Sequence, residues 1–224
     1  MERTNHIAIM NELSASEGVF TAAQAKRLGV TDNALSKAVS SGRAERVLHG
    51  AYRLAGAQSR MSDELAAVWK LTCPARFTGE RAAEWDGIAV GGTTAAALLG
   101  IGDFHLSPYR VFAPRRINSR IGSAWFGKRA IDRRDIRWIE GLPVTSRERT
   151  IVDLCLDAED ASLISDAFDD AAAAGLDPAR MNALIEENER DLKKAGTLEL
   201  INQLADRGSA RRWGTRRQRP LRWR

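Results

Sequence analysis

Residues Thr21–Leu54 read TAAQAKRLGVTDNALSKAVSSGRAERVLHGAYRL, and this stretch decides the fold of the first part of the chain. Thr21 is a good N-cap for a helix whose apolar stripe consists of Ala22, Ala25 and Leu28. Gly29 follows directly, where a helix end favours a left-handed backbone. The pattern predicts a first short helix that ends in a tight turn.

A second helix is predicted immediately after that turn, with Thr31 or Asp32 as its cap. Its apolar face consists of Ala34, Leu35, Ala38 and Val39. Its opposite face is short, polar or basic: Asn33, Ser36, Lys37, Ser40 and Ser41. A helix of this kind enters a DNA major groove without steric conflict and offers donors to bases and phosphates.

A basic hairpin completes the stretch after Gly42. Val47, Leu48, Ala51, Tyr52 and Leu54 form its strands, and His49-Gly50 forms the turn, because glycine tolerates a positive φ. Helix, turn, helix and hairpin follow one another in the order of a winged helix-turn-helix; the alternative is a small helical hairpin with a solvated face. The predicted DNA-binding residues are Thr31, Asn33, Ser36, Lys37, Ser40, Arg43, Arg46, His49 and Arg53.

Charge is distributed unevenly along the 224 residues, although the net charge is only +5. Residues 1–60 carry +3, residues 61–152 carry +4, residues 153–206 carry −10, and residues 207–224 carry eight arginines and no acid. Basic surface favours nucleic acid as a partner. No apolar run is long enough to span a bilayer, no secretory signal is visible, and Cys73 and Cys155 form no disulfide framework, so we expect a cytoplasmic protein.

The sequence pattern after the winged helix predicts a larger domain that mixes α-helices with a small β-sheet. We expect a winged helix in residues 1–56, a second domain in 62–206, and an Arg- and Trp-rich flexible tail in 207–224. The second domain has strand candidates at 109–113, 125–131 and 136–139, with many arginines, and helices at 65–71, 93–100, 145–154, 161–174, 178–193 and 197–206. The fold class is therefore α+β. The arginines of the small sheet indicate either a solvated face or a second contact with nucleic acid or protein.

Enzyme chemistry finds no support in the sequence. The three histidines are far apart and have no metal-ligand spacing, and neither GxSxG nor GxxxxGK[ST] occurs. Gly91-Gly92 precedes a helix and could contact an anion, although close helix packing explains it better. We predict no catalytic residues, no metal and no cofactor, and we keep a nucleic-acid enzyme with an unrecognised site as an alternative.

Two stretches together resemble the AbiEi-type antitoxins. RAERVLHGAYRL at 43–54 is similar to the basic G-x-Y-R-L wing of that family, and GLPVTSRERTIVDL at 141–154 is similar to a segment of its C-terminal domain. Between them, TTAAALLG at 93–100 occupies the place of a small-residue helix, but lacks the Ser-His with which that helix usually opens. The resemblance covers residues 5–175 and leaves out the tail.

The resemblance implies a repressor and antitoxin of a type IV toxin–antitoxin, or abortive-infection, phage-defence operon. The winged helix would bind inverted repeats of double-stranded promoter DNA, as two copies or a homodimer. The C-terminal domain would counteract a nucleotidyltransferase toxin. The alternatives are a stand-alone winged-helix regulator without a toxin partner, and a protein-interaction module in which DNA binding is incidental.

Overall fold

The computed structural model describes residues 5–214 and contains eleven α-helices and eight strands in that range. The helices are α1 His6–Glu17, α2 Ala22–Arg27, α3 Asp32–Ser40, α4 Asp63–Leu71, α5 Thr78–Ala83, α6 Gly92–Leu99, α7 Arg147–Leu156, α8 Ala161–Ala173, α9 Pro178–Glu187, α10 Glu189–Ala195 and α11 Leu198–Gly214. The strands are β1 Phe20–Thr21, β2 Ala44–Leu48, β3 Ala51–Leu54, β4 Ala89–Val90, β5 Tyr109–Ala113, β6 Ala124–Lys128, β7 Ile136–Ile139 and β8 Leu142–Thr145. No described helix is long and apolar enough to cross a membrane.

The strands form two sheets. The first has the order β1-β3-β2 and is antiparallel, with Phe20 opposite Tyr52 and Ala44 opposite Leu54. The second has the order β6-β5-β4-β8-β7, in which β4 runs parallel to β8. The α+β class is therefore confirmed, and the small sheet is mixed.

The chain divides into two compact units. Within the described residues 5–214, the first comprises the residues up to 89, 111–133 and 138–143, and the second comprises 90–110, 134–137 and the residues from 144 onward. The predicted division after residue 56 stays a prediction; the unit that contains the winged helix continues through α4, which packs against β1 and β2. In the second unit, helices α7 to α11 enclose a core that includes Ile151, Leu154, Phe168, Leu184 and Ile201.

Several predicted boundaries differ from the structure. The helix predicted at 178–193 is interrupted at Asn188, whose side-chain amide donates to the carbonyl of Leu184 (2.7 Å) and whose backbone leaves the helical region. The final helix continues to Gly214, beyond the predicted end at residue 206, whereas the flexible tail in 207–224 stays a prediction. Residues 215–224 of that tail lie outside the described residues.

Candidate nucleic-acid interface

Helix α3 is held by its apolar side and exposes its polar side. The Thr31 hydroxyl accepts the backbone N–H of Ala34 (3.2 Å) and caps the helix, as the sequence predicts. Leu35 and Ala38 are buried in a core that also contains Met10, Phe20 and Val30. The residues of the opposite face are exposed, and they include all the predicted helix contacts: Thr31, Asn33, Ser36, Lys37 and Ser40.

The hairpin of β2 and β3 lies directly after α3 in the chain and is anchored by Ala51 and Tyr52, which are buried. A β-bulge between Arg46 and Leu48 shifts the register of the two strands. Gly50 has φ +85°, which confirms the predicted turn. Arg46 and His49 are exposed, and the Arg46 guanidinium lies 5.8 Å from the centre of the Tyr52 ring.

Among the described residues, the cations of this surface differ in whether they have an acidic partner. Lys37, Arg43 and Arg46 are exposed and form no ion pair within residues 5–214. Arg53 lies on the same hairpin, but its guanidinium is paired with Glu45 and lies 3.5 Å from Asp63, and its side chain is only 12% exposed. It also donates to the carbonyl of Ala57 (3.0 Å). The structure thus separates Arg53 from the other predicted contacts.

Replacing Arg53 tests this separation. Arg53→Ala leaves Asp63 without its cation, and we expect the free energy of unfolding to fall by about 1–3 kcal/mol, because a largely buried acceptor loses its partner. We expect DNA affinity to change less than in Arg46→Ala. Urea denaturation and a DNA titration of both variants measure the two effects; a larger affinity loss in Arg53→Ala would restore Arg53 as a contact.

The first helix of the helix-turn-helix pair is fixed by a segment that sequence patterns did not connect to it. Thr21 donates its hydroxyl to the carbonyl of Pro74, and the Gln24 amide donates to the carbonyl of Arg76 (2.8 Å). Arg27 donates to the carbonyl of Ala75 and forms two hydrogen bonds of 2.8 Å with Glu80. These partners lie about 50 residues apart in sequence, so no local periodicity indicates them.

The Arg27–Glu80 pair links α2 to α5 and is sensitive to pH. The Arg27 guanidinium, together with the backbone N–H of Phe77, lowers the pKa of Glu80 from 4.5 to about 2. A carboxyl group whose pKa is lower in the folded chain stabilises the fold above its ordinary pKa. That stabilisation is lost as the pH falls from about 4.5 towards 2.

We therefore expect Glu80→Gln to be less stable than the wild type at pH 7, with a difference that shrinks as the pH falls through this window. Thermal melts of both proteins from pH 7 to pH 3 measure it. The exposed Glu186→Gln, on α9, serves as control because no partner of its carboxylate is found in the described part of the chain. Parallel stability curves for wild type and Glu80→Gln would contradict the pairing.

The described residues contain no group of three or more His, Cys, Asp or Glu side chains that could hold a metal ion. Cys155 is buried, and burial raises its pKa to about 12, so its thiol stays protonated at neutral pH. Asp153 is fully buried, and its Oδ1 lies 2.9 Å from Nε of Arg149, one helical turn earlier in α7. This pair has the geometry of a structural ion pair.

Three helices, a short strand and a two-stranded wing define the N-terminal part as a winged helix-turn-helix domain. Residues 8–55 match the family model described as transcriptional regulator, AbiEi antitoxin, which confirms the resemblance over this segment. The resemblance at 141–154 lies beyond the match and stays a prediction. Comparison with curated proteins found no relative.

A solved structure shares the fold of nearly the whole chain. The crystal structure of the RV2827C protein from Mycobacterium tuberculosis is similar with a TM-score of 0.59 and 16% sequence identity, over 95% of this chain and 81% of that one. At this identity the likeness shows the fold alone. It extends beyond the winged helix and supports the α+β architecture of the remaining chain.

Proposed function

We propose that this protein is a sequence-specific DNA-binding repressor that acts as the antitoxin of a type IV, AbiE-like phage-defence operon. The match of residues 8–55 to AbiEi transcriptional regulators supports the regulator class. In this proposal the winged helix binds inverted repeats in the operon's own promoter. The C-terminal domain, residues 62–206, neutralises a nucleotidyltransferase toxin.

One observation carries the DNA-binding part of the proposal: an exposed polar face of α3 lies beside cations that form no ion pair within the described residues. Asn33, Ser36 and Ser40 are short side chains that can approach base edges in a major groove. Lys37, Arg43 and Arg46 can bind phosphates without first breaking an internal ion pair. We leave Arg53 out of the proposed interface because Glu45 and Asp63 already occupy its guanidinium.

Only one lysine lies on the exposed face of α3. The wing and a second copy of the protein must therefore supply much of the affinity for DNA. Dimers of helix-turn-helix proteins bind half-sites about 10 bp apart, or a multiple of that distance. The proposal therefore predicts a palindromic operator with this spacing.

Titrating the full chain against its own upstream DNA, at about 50 and 200 mM salt, tests DNA binding. Specific binding should persist in excess competitor DNA, and its affinity should fall steeply with salt, because bound phosphates release counterions. Lys37→Ala and Arg46→Ala should each reduce the slope of log affinity against log salt by about 1. Affinity equal to that for unrelated DNA would overturn the sequence-specific proposal and favour the protein-interaction module.

Expressing the neighbouring gene, alone and together with this protein, tests the antitoxin part of the proposal. A nucleotidyltransferase encoded there should arrest growth when expressed alone, and co-expression of this protein should restore growth. Repeating the test with Lys37→Glu/Arg46→Glu separates the two roles, since we expect this variant to lose DNA binding and to keep neutralisation. A nucleotidyltransferase that stays toxic beside the intact protein would contradict the antitoxin role and leave the stand-alone regulator.

A further inference from the structure

An apolar groove lies beside helix α1, in the unit that contains the winged helix. It has a volume of about 530 Å³ and is bordered by α1 on one side and by residues 54–57, at the end of the wing, on the other. Seven of its ten lining residues have no polar side chain, and they include Met10, Leu54 and Ala55. Ile7 lines the same groove and is 47% exposed, although isoleucine is usually buried. The groove therefore leaves apolar surface uncovered by the described part of the chain.

Helix α1 presents a stripe of three exposed residues to this groove, at a spacing of four: Ile7, Asn11 and Ala15. The stripe has a large residue at one end, a small residue at the other and a polar residue midway. If a second α1 lies antiparallel to the first with the two Asn11 residues opposite each other, Ile7 of each copy faces Ala15 of the other. A large side chain then packs against a small one at both ends, which lets the facing helices interdigitate. The stripe is therefore complementary to a second copy of itself.

The asparagine in the middle of the stripe fits a two-fold axis. In a symmetric dimer a residue on the axis meets its own copy, so it has to be complementary to itself. The Asn11 amide has both a donor and an acceptor, so two copies can form reciprocal hydrogen bonds. Its side chain makes no hydrogen bond within the described residues, so both groups are available. A single asparagine in an apolar helix contact also fixes the register of the two helices.

The charges beside the groove are complementary between two copies as well. Arg43 lines the groove, and Glu12 follows Asn11 on α1. Both are exposed, and neither forms an ion pair within residues 5–214. The antiparallel arrangement brings Glu12 of one copy to the groove of the other, where Arg43 can bind it, and by symmetry this pair forms twice. Arg43 still has donors for a DNA phosphate, because a guanidinium has five N–H groups and a carboxylate uses only some of them.

We propose that α1 and its groove form a contact between two copies of this chain, in which each groove receives the α1 helix of the other copy about a two-fold axis at Asn11. The choice of a second copy as the partner rests on the proposed function, since a repressor of inverted repeats needs two copies. A helix of 12 residues is about 18 Å long, so this contact is smaller than a standard interface of about 800 Å² per partner. We therefore expect weak self-association, which paired half-sites strengthen by holding two copies together.

Analytical ultracentrifugation of the full chain without DNA, over a wide range of protein concentration, tests the proposal. The sedimentation coefficient should rise with concentration from the value of a monomer towards that of a dimer. Ile7→Glu should weaken the dimer at least about 10-fold, because it places a carboxylate in the apolar groove of each copy. Leu28→Glu is the matched control: Leu28 is 43% exposed and lies outside the groove, so this variant should dimerise like the wild type. Circular dichroism verifies the fold of each variant.

Charge reversal tests the ion pair between the two copies. Glu12→Arg and Arg43→Glu should each weaken the dimer, because each variant brings like charges together at two places. The double variant Glu12→Arg/Arg43→Glu should recover most of the loss, because the pair forms again with its charges exchanged. The absence of DNA matters here, since a phosphate contact of Arg43 then has no influence on the result. Losses that add in the double variant would contradict the pair.

A crosslink tests the position of the two-fold axis. Asn11→Cys, in a protein that also carries Cys73→Ser, should form a covalent dimer under mild oxidation, because residues that face their own copy bring their Cα atoms within disulfide range. Ser16→Cys in the same background is the control. Ser16 is exposed on the same helix but lies off the stripe, so its crosslink should be much weaker.

A protein that stays monomeric at every concentration and gives no crosslink at residue 11 would overturn the proposal and leave the groove to a different protein. A dimer that Ile7→Glu does not weaken would also overturn it, because the contact would then lie elsewhere. These outcomes are distinguishable from failure of the proposed function. Specific DNA binding by a monomeric protein would contradict only the dimer contact, and a dimer without specific DNA binding would contradict only the repressor.

Discussion

The double variant Lys37→Glu/Arg46→Glu should lose more than about 100-fold in affinity for the upstream DNA at low salt, while its thermal stability stays close to that of the wild type. Both side chains are exposed and form no ion pair in the described part of the chain, and the contact of Arg46 with the Tyr52 ring, at 5.8 Å, contributes at most about 1 kcal/mol to the fold. In the complex, each reversed charge would face a phosphate, and like charges brought together across an interface cost several kcal/mol.

A matched control distinguishes the location of the charges from their sum. Lys193→Glu/Lys194→Glu changes the net charge by the same amount on the exposed surface of α10. We expect this control to retain most of the operator affinity, and electrophoretic mobility shifts at two salt concentrations compare the two proteins. Equal losses in both double variants would mean that long-range charge, rather than α3 and the wing, governs binding.

The second large effect concerns the buried ion pair of Glu17 and Lys70. These side chains are 7% and 4% exposed, and Lys70 donates to Glu17 and to the Thr78 hydroxyl. The Thr78 hydroxyl and backbone N–H also donate to Glu17. Burial acts to raise the pKa of Glu17, but the Lys70 ammonium and these hydrogen bonds outweigh it and lower the pKa below 4.5. The carboxylate is therefore charged at neutral pH and depends on its partners.

We expect Lys70→Ala to reduce the free energy of unfolding by about 3–5 kcal/mol, because it leaves a buried carboxylate without a cation. Glu17→Gln/Lys70→Met should recover most of this loss, since a neutral amide and an apolar stem of similar size then occupy the two positions. Urea denaturation with a constant m value measures both. A double variant as unstable as the sum of the single variants Lys70→Met and Glu17→Gln would contradict the coupling of the pair.

The sequence predicts the winged helix well because its signals are local. Thr21 and Thr31 cap their helices as expected, and His49-Gly50 places the hairpin turn. Leu28 is predicted to be part of the buried apolar stripe of α2, but its side chain is 43% exposed. The reason is that α2 ends at Arg27, so Leu28 lies outside the helix and Val30 is buried instead. Such end effects depend on where a helix stops, which periodicity alone does not determine.

What the sequence does not indicate depends on distant partners. The two-residue strand β4 is too short to give a period, although it pairs with β8 through Val90 and Val144. Arg53 has the same sequence signal as Arg46, and only the positions of Glu45 and Asp63 distinguish the two arginines. The sequence likewise does not indicate why residue 127 is a glycine. The structure shows that the Trp125 ring occupies the space that a side chain at 127 would fill.

Footprinting the protein on its own upstream DNA tests the central claim, that α3 and the wing bind an operator sequence-specifically, most directly. We expect two protected half-sites related by inverted symmetry, with centres about 10 bp or a multiple apart. Protection should disappear in Lys37→Glu/Arg46→Glu and persist in Lys193→Glu/Lys194→Glu. Uniform protection without half-sites, or protection that survives the reversal on α3 and the wing, would contradict the claim.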